Sequence, residues 1–300
     1  MKPGRIEMGK LTVLDGGLFT TIQDKGRSGY RKFGVPASGV MDISAYKKAN
    51  FLAGNSENAP VLECTLKGGK YQFNTDATIA ITGALMNPGI NDNGIEMNTS
   101  VKVRAGETLE LGFAKKGCRA YVAIRGSWDI DKVMGSCSTF TLGKFGGLNG
   151  TQLKKGDQIS WQEISESLET RTLQNDEIPY YSSKRTIEFI PGPEWDQLND
   201  QEKDRFLNSS FRVSSKSNRM GIRLESEKPI AMNQVDMKSS GVIPGIIQLP
   251  PNGLPIILMK DGQTVGGYPR IGKILDIHLN RIAQVPINGT IKFKEVKDFI

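Results

Sequence analysis

The sequence predicts a mainly β fold, and three observations support this prediction. Short apolar runs rich in Val, Ile, Phe and Tyr recur along the chain, and most are bounded by Gly, Asn, Asp or Pro. The 300 residues include 34 Gly and 14 Pro, a composition that favours many turns. Patterns with helical spacing are few and do not alternate regularly with the strands, which argues against a doubly wound α/β fold.

Eight apolar runs are predicted to form strands, because each is short and most are bounded by turn residues. In chain order they cover residues 11–14, 61–66, 78–81, 109–113, 120–124, 187–190, 256–259 and 291–293.

Three short helices are predicted. The clearest covers residues 42–53, where Asp42 can cap the first turn, apolar residues fall near helical spacing and Gly54 supplies a C-terminal stop. Two weaker patterns predict helices over residues 200–207 and 275–283.

Two domains are predicted from the length of the chain and from one polar segment. A chain of 300 residues is long enough for two medium-sized domains. Residues 163–183 are polar, lack apolar periodicity and precede a new apolar run, as expected of a domain boundary. We therefore predict a β-rich N-terminal domain over residues 1–175 and a second domain over residues 184–300.

The net charge of +7 comes from scattered Lys and Arg residues, without a dense basic segment interleaved with aromatic residues. Nucleic acid is therefore not an expected partner. Such a charge fits an anionic small substrate, a nucleotide or an acidic protein partner, and it equally fits a solvated surface without a partner.

The three Cys residues are far apart, the N-terminus lacks an apolar signal core, and no apolar run approaches the roughly 20 residues that cross a bilayer. We expect a cytoplasmic protein without a membrane partner.

The usual catalytic templates are mostly absent. The one histidine, His278, lies in the predicted helix 275–283 and is interpreted as a structural residue, not as part of a catalytic triad. One His and three dispersed Cys do not form a metal site by spacing, so no metal ligands are predicted. Residues 262–267 read G-Q-T-V-G-G and are followed by Tyr268 where a Walker loop requires Lys, which excludes that motif.

Residues 258–270 read L-M-K-D-G-Q-T-V-G-G-Y-P-R and form either a tight turn or a ligand site. A predicted strand leads into a loop that carries Gln263 and Thr264. Gly266 and Gly267 permit unusual backbone angles or the close approach of a ligand. Composition alone favours neither interpretation.

A second candidate segment covers residues 20–30, where Gln23, Asp24 and Arg27 lie in a turn-rich stretch after a strand. Arg27 could clamp a carboxylate or a phosphate through two parallel hydrogen bonds. The alternative is an Asx-turn, in which Asp24 accepts hydrogen bonds from backbone amides and Arg27 is exposed.

Two further segments carry candidate anion contacts. Residues 135–139 read G-S-C-S-T, and their hydroxyls and backbone amides can hold an anion without a charged side chain, although they also fit an ordinary loop. Residues 217–224 read S-N-R-M-G-I-R-L, where Arg219 or Arg223 is either an anion contact or a member of an ion pair.

Seven motifs, taken in order, resemble those of the biotin-dependent carboxyltransferase family. That family includes the C subunit of bacterial ATP-dependent 5-oxoprolinase, also labelled allophanate hydrolase subunit 2, and the resemblance covers roughly residues 11–294. The motifs are G-L-F-T-T-I-Q-D-K-G-R-S-G-Y (17–30), G-V-P-A-S-G-V-M-D (34–42), A-N-F-L-A-G-N (49–55), L-E-C-T-L (62–66), G-S-C-S-T (135–139), N-R-M-G-I-R-L (218–224) and S-S-G-V-I-P-G-I-I-Q-L-P-P-N-G-L-P-I-I-L-M-K-D-G-Q-T-V-G-G-Y-P-R (239–270).

The resemblance implies a fold, partners and an activity. It implies a cyclophilin-like β-barrel in the C-terminal half, beside a second β-rich domain. It further implies that the chain works with two other proteins, a homologous B subunit together with an A subunit, to open 5-oxo-L-proline to L-glutamate. ATP and Mg²⁺ are then expected in the assembled complex. The chain lacks the A-M-K-M sequence of a biotinyl module, so no covalently attached biotin is expected on it.

Two alternatives stay open within the resemblance. One is a carboxyltransferase subunit that moves a carboxyl group from carboxybiotin to urea or a similar small amide. The other is a regulatory protein that antagonises a kinase inhibitor homologous to the B subunit.

Opening a lactam at the expense of ATP requires groups that hold a carboxylate, phosphates and a developing negative charge. Motif matching predicts as catalytic residues Arg27, Asp24, Gln263 and Tyr268. It predicts as substrate-binding residues Gln23, Ser136, Ser138, Arg219, Gln248, Thr264, Gly266 and Gly267. Asp24 or Asp261 is a candidate for holding Mg²⁺ or orienting a donor. Cys137 stands where similar proteins often have Arg; if that Arg binds substrate or a partner in the family, this chain has altered specificity.

Overall fold

The computed structural model describes residues 8–164, 166–232 and 237–296, and it confirms the mainly β prediction. Within these ranges it contains three α-helices: α1 (Ile43–Ala53), α2 (Asp200–Asn208) and α3 (Asp276–Ile282). The strands are β1 (Met8–Asp15), β2 (Phe19–Gln23), β3 (Val61–Thr65), β4 (Lys70–Phe73), β5 (Ala77–Leu85), β6 (Gly89–Ile90), β7 (Asn93–Gly94), β8 (Ser100–Val103), β9 (Thr108–Glu110), β10 (Lys116–Ile124), β11 (Ser127–Trp128), β12 (Gln158–Gln162), β13 (Lys184–Pro191), β14 (Phe211–Val213), β15 (Gly221–Glu225), β16 (Ser240–Gly241), β17 (Ile246–Gln248), β18 (Ile256–Leu258), β19 (Val265–Gly266), β20 (Arg270–Ile274) and β21 (Thr290–Glu295).

Every predicted apolar run contains at least part of a strand, although the run 109–113 keeps strand geometry only to Glu110. Strand β2 was not predicted, because its sequence F-T-T-I-Q lacks a continuous apolar run. The structure buries its polar residues completely, among them Thr20 and Thr21. Buried polar residues that form hydrogen bonds therefore escape a search for apolar periodicity.

The first compact unit comprises residues up to 27 together with residues 38–180. Its seven-stranded sheet has the order β11-β12-β1-β4-β9-β6-β7, and its five-stranded sheet has the order β2-β3-β10-β5-β8. One hydrophobic cluster contains residues of both sheets, including Leu11, Tyr71 and Trp161 of the first and Leu62 and Val122 of the second. The two sheets therefore share one core, as in a β-sandwich.

Strand β10 is buried on both faces, which explains its continuous apolar sequence. Ala120 and Val122 belong to the core between the sheets, whereas Tyr121 and Ala123 belong to a second cluster with the apolar residues of α1. Side chains alternate between the two faces of a strand. Helix α1 thus covers the outer face of the five-stranded sheet.

Helix α1 begins and ends as its sequence predicts. The Asp42 side chain accepts a hydrogen bond from the Ala45 backbone amide at 3.0 Å, which caps the first turn. Gly54 adopts a left-handed conformation with φ of 70° at the C-cap, a geometry that glycine accepts at little cost.

The second compact unit comprises residues 28–37 and residues from 181 onward. Seven of its described strands form a closed barrel in the order β13-β20-β17-β18-β15-β14-β21, and β16 pairs with β19 in a separate two-stranded sheet. The barrel closes through a parallel pairing of β13 with β21, and the other pairings around it are antiparallel. A barrel in the C-terminal half is confirmed.

Aromatic rings fill one part of the barrel unit. Phe206 of α2 stacks on Phe293 of β21 with ring centroids 4.6 Å apart, and Phe189 meets Trp195 edge to face at 5.3 Å. Helix α3 carries the buried His278, whose Nε2 lies 3.3 Å from a Glu188 carboxylate oxygen. His278 is therefore engaged inside the unit, in agreement with the structural role predicted for it.

The predicted domain limits, 1–175 and 184–300, remain a prediction. The compact units place residues 28–37 with the barrel, which sequence composition does not indicate. No helix among the described residues is long and apolar enough to cross a membrane.

Candidate functional site

The candidate residues of the first unit lie in one buried polar cluster, which we name the Asp24 network: Gln23, Asp24, Arg27, Ser136, Cys137, Ser138 and Thr139. Two loops form it. Asp24 follows β2 directly, and the serines belong to the segment between β11 and β12. The motif around residues 20–30 and the G-S-C-S-T motif are thus brought together although they are more than a hundred residues apart.

The Asp24 carboxylate accepts four hydrogen bonds. Oδ1 accepts from the hydroxyls of Ser136 and Ser138, each at 2.6 Å, and from the Gly26 backbone amide at 2.8 Å. Oδ2 accepts from the Cys137 backbone amide at 2.7 Å. The bond from Gly26 is the predicted Asx-turn. A carboxylate that serves so many donors has little capacity left for a ligand.

Arg27 is buried, so the alternative with an exposed Arg27 is wrong. Its side chain is 3% exposed, it donates to the Ser138 carbonyl at 2.5 Å, and its guanidinium lies 4.9 Å from the Phe145 ring centroid. Gln23 is fully buried beside it and donates to the Thr21 hydroxyl at 3.0 Å and to the Thr139 carbonyl at 3.1 Å. Both side chains therefore hold the two loops together.

The thiol of Cys137 is buried at the edge of the Asp24 network. Burial, with a smaller contribution from the nearby Asp24 charge, raises the pKa of Cys137 to about 11. The thiol is therefore protonated at neutral pH and is a poor nucleophile. A cavity of about 430 Å³ is lined by Asp24 and Cys137 together with Lys25 and Lys132.

The candidate residues of the second unit gather around the loop between β18 and β20. Gln263 donates through Nε2 to the Gln248 side-chain oxygen at 3.1 Å, and Gln248 is 1% exposed. The amide nitrogen of Gln248 is buried and has no hydrogen-bond partner in the part of the chain that the structure describes. This pair of amides therefore retains a donor for which the described residues supply no acceptor.

Gly266 and Gly267 have different roles. A Cβ added at Gly266 would lie 2.6 Å from Gln248 Nε2, so glycine makes room for this amide. A Cβ added at Gly267 would meet its nearest neighbour, the Ser239 hydroxyl, only at 3.7 Å. Neither glycine has a positive φ, so the interpretation that they permit unusual backbone angles is wrong.

Arg219 forms a buried ion pair with Asp261. Nε and Nη2 of Arg219 donate to the two carboxylate oxygens of Asp261 at 2.9 and 3.2 Å. Both residues are at most 6% exposed. The ion-pair interpretation of Arg219 is therefore confirmed, and the pair occupies the carboxylate considered for Mg²⁺. The other two predicted residues are more accessible: Thr264 is half-buried and Tyr268 is 45% exposed.

Arg31 is a residue of this region that the sequence did not single out. It lies in a short 3-10 turn, Arg31–Phe33, and one guanidinium nitrogen, Nη2, donates to the backbone carbonyls of Val242 and Gln263. Burial lowers the pKa of Arg31. The adjacent basic residues Arg31 and Lys32, between Tyr30 and Phe33, were the available signal in the sequence.

The structure thus sorts the predicted residues into two groups. In the first unit it brings together Gln23, Asp24, Arg27, Ser136 and Ser138. In the second it brings together Gln248, Gln263, Thr264, Gly266, Gly267 and Tyr268, and the ion pair of Arg219 with Asp261 belongs to the same unit. Among the described residues, no group of three or more His, Cys, Asp or Glu side chains is placed to hold a metal ion.

Comparison with known proteins identifies one family and relatives that agree with that assignment. Residues 33–295 match the model of the carboxyltransferase domain, subdomain A and B. The chain is 38% identical to the C subunit of 5-oxoprolinase from Escherichia coli K12, over 94% of this chain and 90% of that protein. It is 34% identical to the C subunit of 5-oxoprolinase from Haemophilus influenzae, over 95% of this chain and 91% of that protein.

A solved structure shares the fold as well. The crystal structure of the Kluyveromyces lactis urea carboxylase matches 96% of this chain with a TM-score of 0.90 and 31% sequence identity. The chain spans 27% of that protein. The similarity to the carboxylase thus concerns one part of a much longer enzyme.

Proposed function

Because the chain belongs to the family of carboxyltransferase domains with subdomains A and B, we propose that it is the C subunit of an ATP-dependent 5-oxoprolinase. The enzyme would open 5-oxo-L-proline to L-glutamate. One observation carries this proposal: the 38% identity to the C subunit of a 5-oxoprolinase extends over 94% of this chain and 90% of the relative.

The proposed enzyme contains further subunits. We expect this chain to act with an A subunit, with a homologous B subunit, in the cytoplasm, and to be inactive alone. ATP and Mg²⁺ are assigned to the assembled complex. Among the described residues no group of three or more His, Cys, Asp or Glu side chains is placed to hold a metal ion, and Arg219 engages the Asp261 carboxylate. No role for the ion is therefore derived on this chain.

The chemistry of lactam opening indicates which kinds of side chain the site requires. An unstrained lactam carbonyl is a poor electrophile, and its activation places negative charge on oxygen. Neutral donors and cations stabilise such charge when they are positioned beforehand. In the barrel unit, Gln263, Thr264 and Tyr268 are neutral donors on one loop, and Gln248 fixes the Gln263 side chain. We assign substrate contact to this loop.

The Asp24 network has a different role in this proposal. Arg27 and Asp24 were predicted as catalytic residues, and that prediction has not been tested. Their side chains are buried and engaged with the G-S-C-S-T loop. We propose that they position the loop and do not contact the reacting atoms.

A second candidate function is carboxyl transfer from carboxybiotin to urea or a similar amide. The match to the urea carboxylase structure, with a TM-score of 0.90, favours this alternative. It requires a separate source of carboxybiotin.

Reconstitution distinguishes the two functions. The purified chain is mixed with the A and B subunits, ATP, Mg²⁺ and 5-oxoproline, and glutamate is measured. We expect release of glutamate that requires ATP and this chain. A parallel reaction contains carboxybiotin and urea in place of 5-oxoproline. Glutamate formation that is absent, or equal without this chain, contradicts the proposal, and urea-dependent loss of carboxybiotin supports the second function.

A further inference from the structure

A pocket of the barrel unit has a positively charged lining. We name it the Arg31 pocket: its walls are Arg31, Lys32, Gly34, residues 241–243 and residues 264–265. Its volume is about 650 Å³, which lies within the range of sites for small molecules. Among the described lining residues, two are basic and none is acidic. The pocket therefore favours a ligand with negative charge.

No carboxylate among the described residues forms an ion pair with Arg31. Nη2 donates to the carbonyls of Val242 and Gln263, and Nη1 is shielded from solvent with no hydrogen-bond partner within the described ranges. Burial lowers the pKa of Arg31. Keeping a cation partly out of water without a counter-charge costs free energy, and an anion in the pocket would offset that cost.

Arg31 is also held in a fixed place, which matters for binding. Of its two carbonyl partners, Val242 directly follows β16 and Gln263 lies shortly before β19, so the guanidinium is held against the ribbon that these two paired strands form. A donor that is already ordered loses little side-chain entropy when a ligand binds. The pocket is therefore prepared for an anion before the anion arrives.

Two neighbouring groups complete the pocket. Lys32 is exposed, lies 5.1 Å from the Phe33 ring centroid and has no carboxylate partner in the described part of the chain. The half-buried Thr264 hydroxyl forms no hydrogen bond to another described residue. The pocket lining thus contains one exposed cation, Lys32, and one neutral donor, Thr264, in addition to the Arg31 guanidinium.

We propose that the Arg31 pocket binds the oxyanion of a small molecule, either a carboxylate or a phosphoryl group, through the charges of Arg31 and Lys32 and through the Thr264 hydroxyl. The proposal concerns binding by this chain alone and does not require turnover. Failure to form glutamate in the reconstituted enzyme would therefore reject the proposed function and leave the pocket standing.

Calorimetric titration of the purified chain tests the pocket with three probes. They are 5-oxoproline, inorganic phosphate and pyrrolidin-2-one, which has the lactam ring of 5-oxoproline without its carboxylate. We expect saturable binding of 5-oxoproline, of phosphate or of both, and none of pyrrolidin-2-one. Binding of 5-oxoproline identifies a carboxylate ligand, and binding of phosphate alone identifies a phosphoryl ligand. Absence of saturable binding for both anions overturns the proposal.

Two variants test whether binding occurs at this place. Arg31→Gln removes the charge, and Gly241→Val adds a branched side chain to the pocket wall while it leaves Arg31 intact. A Cβ added at Gly241 meets no atom within 4 Å, so the fold should accept this change even if Arg31→Gln unfolds the unit. We expect Arg31→Gln to raise Kd at least roughly tenfold, the value of a charge-assisted hydrogen bond, and Gly241→Val to raise Kd by obstructing the ligand.

Arg223→Gln is the matched control, because Arg223 is an exposed arginine of the same unit on β15 and does not line the pocket. Its Kd should equal that of the wild-type chain. Unchanged affinity in Gly241→Val, or an equal loss in Arg223→Gln, shows that the anion binds elsewhere and overturns the assignment.

Discussion

The Asp24 network and the Arg31 pocket are both rich in polar side chains, but they differ in how their hydrogen bonds are used. In the Asp24 network, four donors of the same unit serve one carboxylate. In the Arg31 pocket and the adjacent loop, Arg31 Nη1 and Gln248 Nε2 have no acceptor among the described residues. The Asp24 carboxylate is satisfied within its own unit, whereas Arg31 Nη1 lacks an acceptor among the described residues and belongs to a side chain that lines a pocket.

This difference distinguishes polar side chains that stabilise the fold from polar side chains that bind a ligand. Buried polar groups in folded proteins nearly always find partners, and the exceptions need an explanation. A carboxylate whose hydrogen-bond donors belong to its own unit is explained by a role in stabilising the fold. A donor that lacks an acceptor among the described residues and lines a pocket is explained by a ligand that brings the acceptor, so we place ligand contact in the barrel unit.

The largest expected effect concerns the stability of the Asp24 network. Asp24→Ala leaves two serine hydroxyls and two backbone amides without their acceptor at a position that is only 5% exposed. We expect the free energy of unfolding to fall by roughly 3 kcal/mol or more, measured by chemical denaturation. Asp131→Asn is the control, since Asp131 is exposed in the same unit. Equal stability of the two variants would show that the network is not structural.

A smaller effect is expected for the two adjacent glycines of the barrel loop. Gly266→Ala places a methyl group 2.6 Å from Gln248 Nε2, so the Gln248 side chain must shift. We expect a loss of about 1–3 kcal/mol in the free energy of unfolding, as for other overpacked sites. Gly267→Ala adds its methyl group in open space and should change stability by less than about 0.5 kcal/mol. Thermal denaturation of the two variants measures this difference. Equal losses of stability would mean that Gln248 does not constrain position 266.

The smallest effect is a pH dependence in the barrel unit. The Arg270 side chain donates to Glu194 and lowers its pKa below the ordinary value, with burial acting in the opposite direction. A lowered pKa in the folded state adds stability above the unfolded value of 4.5, and this stability is lost as the pH falls through the folded value. Glu194→Gln should therefore destabilise at about pH 6 and much less at about pH 3. Denaturation at both pH values measures it, and a pH-independent loss would exclude the ion pair as the cause.

The sequence predicts secondary-structure elements more completely than it predicts contacts between residues that are distant in the chain. All three helices were predicted, the first from its caps and spacing and the other two from weaker patterns, because such signals lie within a few residues of each other. The pairing of the loop after β2 with the G-S-C-S-T segment depends on sheet topology, which local patterns do not contain. For the same reason the sequence named Arg27 and Ser138 as candidates but not their mutual hydrogen bond.

Arg31 and Gly266 show where prediction from the sequence failed. Arg31 is important because an anion site needs a charge without a counter-charge, and the lack of an ion pair between Arg31 and any described carboxylate is visible only in three dimensions. Gly266 was interpreted as permitting unusual backbone angles or the close approach of a ligand, yet it leaves space for the Gln248 side chain from another strand. Both features depend on residues that are distant in sequence.

One matched pair of substitutions tests the contrast most directly. Thr139→Val and Thr264→Val remove the same hydroxyl from the two regions, and kcat/KM for 5-oxoproline is measured in the reconstituted enzyme at a temperature where both variants are folded. The Thr139 hydroxyl donates to the Ile22 carbonyl at 2.9 Å, so its loss should lower stability by about 1–2 kcal/mol and leave kcat/KM unchanged. Thr264→Val should retain stability and lower kcat/KM roughly tenfold. The reverse pattern, an unchanged kcat/KM in Thr264→Val with a loss in Thr139→Val, would contradict the placement of the ligand in the barrel unit.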